Sequence, residues 1–272
     1  MAGRDRDARD DKYDAALAKG LPPVVTEGDS WFDYPLSRNL IDFIDDEHRF
    51  AFKRLESSGD TVRNMLGMDT GYDGLEALAQ VVHDEQATML FFSGGGNDFV
   101  AAADRIFRSR DIGYPPKAYL TPAWQQTLDE MRGAFERMIA RIGPMAPIWA
   151  LGYDHFVPDD TPVTLLDFPI AGPWFWPAMN AVGITTPAIQ RAIGAEMIVQ
   201  FNRMLDDLER QYVPKFVHVN LIGTLTIADW KNEIHPTAAG FDAAATKFLA
   251  EVDRKRGDIS ALAEADGLAW NY

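Results

Sequence analysis

The chain has 272 residues and no cysteine, and its 41 Asp plus Glu against 26 Lys plus Arg leave a net charge of −15. That charge repels phosphate backbones and anionic membrane surfaces and argues against nucleic acid as a partner. The missing thiols exclude disulfides, a cysteine nucleophile, zinc fingers and iron–sulfur ligation. Residues 1–20 alternate Arg, Asp and Lys with few apolar positions. They read as a polar arm too poor in apolar surface to offset its ordering entropy, and 21–272 as one domain. No secretory apolar segment and no run of about 18 apolar residues occurs, so a cytoplasmic protein without a membrane span is expected.

After Pro22-Pro23 short β-rich runs alternate with helical ones. Strands are expected at 24–27, 49–56, 88–93, 147–153 and 215–222, and five strands with helices between them imply a parallel α/β sheet. One helix starts at Thr121 with Pro122 in its first turn and carries Trp124, Leu128, Met131, Phe135, Met138 and Ile142 three or four apart, which makes one buried face. A second is expected at 187–212 and a third at 237–254. The acidic run Asp42, Asp45, Asp46 and Glu47 reads as a solvated helix face. Residues 168–187 are dense in Pro and aromatics and longer than a plain connection needs, so an insertion is expected at about 155–187.

Three motifs fall at the C-terminal ends of the expected strands, where open α/β sheets bind ligands: Gly28-Asp29-Ser30, Ser93-Gly94-Gly95-Gly96-Asn97-Asp98 and His235-Pro236. The glycine run is not a dinucleotide loop, because Phe99 stands where the third fingerprint glycine belongs. A serine hydroxyl is a weak nucleophile until an imidazole accepts its proton. Ser30 and His235, from distant segments, suit that pairing. No His-Glu-x-x-His or other metal-spaced cluster stands out, and no catalytic metal or cofactor is expected.

With Ser58-Gly59-Asp60-Thr61 after the second strand, these blocks resemble those of the SGNH/GDSL hydrolases, a family of esterases and lipases, and they span residues 24–250 in the family's order. The resemblance implies a flavodoxin-like three-layer α/β/α fold with strand order 2-1-3-4-5. It also implies Ser30 as nucleophile, His235 as base, and an oxyanion hole made by the backbone N–H of Ser30, that of Gly59 and the side-chain amide of Asn97. The expected substrate is a small-molecule or lipid-like carboxylic ester of short to medium acyl length. A carbohydrate O-deacetylase, a lysophospholipase or thioesterase, and a flavodoxin-like binding module without chemistry remain alternatives.

The chain departs from the family at the acid of the triad, because Asn232 stands three residues before His235. Three residues compete for that role: Asn232 as a neutral orienter, Asp154 at the end of the fourth strand, and Asp229. Glu233 reads as solvent-facing. Trp174, Phe175 and Trp176 could line an acyl pocket or pack within their own insertion, and His155 could touch substrate. His48, His83 and His218 read as structural.

Overall fold

Val24, Val25 and Thr26 are completely buried in a strand, β1 (Pro23–Gly28), covered on both faces, as the interior of a parallel sheet requires. In the computed structural model, which describes residues 2–68, 73–165, 168–268 and 270, four more strands join it. They are β2 (Ala51–Arg54), β3 (Met89–Ser93), β4 (Ile148–Gly152) and β5 (Phe216–Asn220). All pairings are parallel and the order is β2-β1-β3-β4-β5, the expected 2-1-3-4-5. Every strand therefore ends on the same edge, where β1 and β3 finish side by side with Gly28 opposite Ser93.

Helices cover the sheet. Thr121 caps the helix Pro122–Ile142, and all six residues of its expected apolar stripe are buried. The second long helix, Pro187–Tyr212, buries Ile193, Met197, Phe201, Leu205 and Leu208. The last runs from Ala238 to Ala265, past the expected end, because Ile259 and Ala263 beyond its charged stretch are also buried. Between β4 and Pro187 lie an antiparallel hairpin, Val163–Leu165 with Phe168–Ala171, and the helix Phe175–Ala181. No helix of the described residues is long and apolar enough to cross a membrane.

The N-terminal reading needs correction. Ala2–Leu17 is an α-helix packed beside β2, not an unordered arm. Tyr13 is its anchor, buried and donating to Glu85 Oε2 at 2.9 Å. Around it Arg9 meets Asp33 at 2.6 Å, Lys12 meets Asp45 at 2.5 Å and Lys53 meets Asp10 at 2.7 Å. Single exposed pairs are worth little, so it is their grouping around a buried aromatic that offsets the ordering entropy. The acidic run is likewise engaged: Asp42 completes a capping box with Asn39 and pairs with Arg54, and Asp45 is buried.

Gly152, the last residue of β4, faces a buried polar cluster. His218 Nε2 lies 2.9 Å from Asn202 Oδ1, and His218 Nδ1 lies 2.7 Å from Asp206. Asp206, Glu209 and His218 have metal-ligand spacing, but their donor atoms are engaged with one another, with Asn202 and, through Glu209, with Lys255 at 2.6 Å. A Cβ at Gly152 would overlap both Asn202 Oδ1 and His218 Nε2. Gly152→Ala is therefore expected to destabilise the fold by about 3 kcal/mol through overpacking, a Tm lowered by about 6–12 °C. A thermal melt of the variant within 2 °C of wild type would show that the cluster yields freely.

Candidate active site

Gly28-Asp29-Ser30 leaves β1 at the C-terminal edge. The carboxylate of Asp29 holds the turn by accepting from the Trp31 N–H at 3.0 Å, Ser93 Oγ at 2.8 Å and Tyr153 Oη at 2.5 Å. Burial pushes the Asp29 carboxyl up, and these three donors pull the other way. The result is a rigid platform on which Ser30, 6% exposed, presents its hydroxyl.

His235 reaches Ser30 from 205 positions away, with Nε2 2.8 Å from Oγ. On the other side of the ring Nδ1 lies 3.0 Å from Asn232 Oδ1. That oxygen also accepts the backbone N–H groups of Ile234 at 3.2 Å and His235 at 3.0 Å. A backbone N–H can only donate, so the amide must face His235 through its oxygen and not its NH2. Nδ1 then carries the proton, and the lone pair of Nε2 points at the serine hydroxyl. Burial, with the charge of Lys231 adding to it, pushes the imidazole down to about pKa 3, so the ring is neutral and able to accept a proton at neutral pH. Tyr34 stacks on it with centroids 4.4 Å apart, and Trp174 meets it edge-on at 5.6 Å.

Beside Ser30 lies a cavity of about 40 Å³ lined by Asn97, Tyr153, Asp154, Phe156, Phe175, Ile198 and other residues. At roughly 10–15 Å³ per water-sized group it has room for about three such groups. One hydrogen of the Asn97 amide goes to the Asp60 carbonyl at 2.9 Å, which leaves the second free. Asp60 follows Gly59, an exposed residue whose φ of +95° favours glycine. Phe175 lines the cavity, whereas Trp176 and His155 are not among its lining residues.

The two aspartates weighed against Asn232 are occupied elsewhere. Asp154 accepts the N–H groups of His155, Gly223 and Leu225 at 2.7, 3.0 and 2.7 Å, so it organises the loop after β5. Asp229 accepts from the N–H and hydroxyl of Thr226. The reading of Glu233 as solvent-facing is corrected: it is completely buried. Its Oε2 accepts from the N–H groups of Trp174 at 2.5 Å and Phe175 at 2.8 Å, and its Oε1 from that of Trp176 at 2.6 Å. Burial still pushes this carboxyl up to about 7. Sequence reasoning does not single out Tyr34, Tyr153 or Phe156, and it misplaces Glu233. The one signal it offers is position, since Tyr34 follows Ser30 by four residues and Glu233 lies between Asn232 and His235.

In sequence the chain matches no family model and no curated protein. In structure it is similar to a lipolytic G-D-S-L family member from Veillonella parvula, at TM-score 0.52 and 12% identity over 86% of this chain and 100% of that one. It is also similar to a catalytic mutant of an acetylxylan esterase from Geobacillus stearothermophilus, at 0.51 and 14% over 85% and 94%. An extracellular lipase from Streptomyces rimosus gives 0.51 and 16% over 85% and 99%. Identities this low speak for the fold alone.

Proposed function

Because the chain has the fold of the SGNH/GDSL hydrolases, we propose that it is a serine hydrolase of carboxylic esters with short acyl chains. The observation that carries the proposal is the chain Ser30–His235–Asn232, hydrogen-bonded in the tautomer a general base needs and opening on a small cavity. Ser30 Oγ attacks the ester carbonyl while His235 Nε2 takes its proton. The oxyanion is held by the Ser30 N–H, the Gly59 N–H and the free hydrogen of the Asn97 amide, each such donor being worth about 2.7–4 kcal/mol. The imidazolium then protonates the departing alcohol, and water, activated by the same nitrogen, hydrolyses the acyl-enzyme. Asn232 keeps the ring oriented throughout.

The small space beside Ser30 favours short acyl groups, because a longer chain directed into it meets the packed rings of Phe156 and Phe175. With p-nitrophenyl esters kcat/KM is expected to be highest for acetate or butyrate and at least tenfold lower for octanoate. A fluorophosphonate is expected to label Ser30 stoichiometrically. Absence of both turnover and label would overturn the hydrolase reading, and a preference for octanoate would overturn the short-chain part of it.

A further inference from the structure

The segment Asn232–His235 does more than carry the base and its orienter. Val157 N–H donates to the backbone carbonyl of Glu233 at 3.1 Å, and the N–H groups of Trp174, Phe175 and Trp176 all converge on the Glu233 side chain. One buried residue thus grips both ends of the segment that follows β4. The two ends meet in front of Ser30. Phe156, next to Val157, packs on Phe175 with centroids 4.5 Å apart, and both rings line the cavity. Trp174, whose N–H is the first of the three, rests its ring against His235.

We propose, building on the ester-hydrolase reading, that Glu233 is a positioning residue that sets acyl-chain selectivity by holding the Phe156–Phe175 wall against the Ser30 cavity. The physical case rests on what the carboxylate is bonded to. An N-terminal helix turn leaves its first N–H groups without partners, and the helix Phe175–Ala181 has no side-chain cap from its own N-cap residue, Trp174. The Glu233 carboxylate takes over that function from a distant segment. The three N–H donors oppose the upward push of burial on this carboxyl, and once it is ionised their bonds are of the stronger, charge-assisted kind. Removing the carboxylate frees three N–H groups, that of Phe175 fully buried, at the residues that shape the pocket, while Ser30, His235 and Asn232 keep their mutual bonds.

The test compares wild type, Glu233→Gln and Glu233→Ala, each checked by circular dichroism, on p-nitrophenyl acetate and octanoate and by amide hydrogen exchange over residues 172–184. Gln keeps one acceptor oxygen but turns an NH2 toward the remaining N–H, so its effects should lie between those of the other two proteins. For Glu233→Ala, faster exchange over 174–181 is expected together with an acetate-to-octanoate ratio of kcat/KM at least fivefold smaller. The change should lie mainly in KM, with kcat on acetate within about threefold of wild type. Faster exchange with a ratio within twofold of wild type would overturn the proposal, as would unchanged exchange. If Glu233→Ala does not fold, the same two readouts on Glu233→Gln decide, a ratio shifted at least twofold supporting the proposal. Failure of the underlying reading looks different: wild type itself would then lack turnover and fluorophosphonate labelling.

Discussion

Ser30→Ala is expected to lower kcat/KM on p-nitrophenyl acetate by on the order of 10⁴-fold or more, with His235→Ala falling to a similar level. Both follow from one geometry. The hydroxyl and Nε2 are 2.8 Å apart in a buried site, so neither group has a substitute within reach, and loss of either removes the same acyl-enzyme step. The effects should therefore not add: the double variant is expected within about threefold of the worse single variant, the behaviour of residues that act as a unit. What activity survives would come from the proposed oxyanion donors. Circular dichroism should be unchanged for Ser30→Ala, since Asp29 and not Ser30 holds the turn. Ser30→Ala retaining a tenth of wild-type activity would move the nucleophile elsewhere.

Asn232 carries the second large effect. Asn232→Ala removes the acceptor of His235 Nδ1 and the anchor of two backbone N–H groups, and a loss on the order of a hundredfold is expected. Asn232→Asp should act in the opposite direction. In a serine protease the reverse exchange, Asp to Asn, costs about 10⁴-fold, largely through the wrong tautomer. Here the tautomer is already correct, because Oδ1 is pinned by two main-chain donors. A new carboxylate adds only its attraction for the developing imidazolium, a gain of roughly ten- to a hundredfold at about 1.4 kcal/mol per factor of ten. The pH profile separates the two proteins. In wild type, burial and Lys231 hold the ring neutral down to about pH 3, so kcat on acetate should be level from pH 8 to pH 5, while Glu233, whose carboxyl burial raises to about 7, puts its own limb in KM. An anion at 232 favours the protonated ring, so in Asn232→Asp activity should fall as pH drops through a limb displaced toward 6.5. A wild-type kcat limb already near 6.5, or Asn232→Ala within fivefold of wild type, would remove Asn232 from the catalytic group.

Features that depend on neighbours along the chain are legible in the residues alone. β1 and β5 are rich in β-branched residues, β3 and β4 are apolar runs with aromatics, and β2 gives the core only Ala51 and Phe52. The helix Pro122–Ile142 announces itself through Thr121, Pro122 and a 3.6-residue stripe, and Gly28-Asp29-Ser30 sits at a strand end because a turn needs those residues there. Asn232 is singled out by the resemblance, whose acid stands three residues before the histidine, and the turn 232–235 brings its oxygen to the ring and N–H of His235.

Tertiary structure decided what depends on which distant groups arrive. Asp154 competed for the triad in sequence. In the fold its oxygens are taken up by the N–H groups of Gly223 and Leu225, 69 and 71 positions away. The N-terminal helix has no apolar stripe to read, since its order comes from Tyr13 and from charges on Asp33, Asp45, Lys53 and Glu85. Glu233 looks like any surface carboxylate until three main-chain donors from 174–176 bury it. The cavity beside Ser30 is set by Phe156, Phe175 and Ile198 converging from separate segments. Spacing along the chain records which residues a turn or a helix face brings together, and it carries no record of the volume left between segments that meet only on folding.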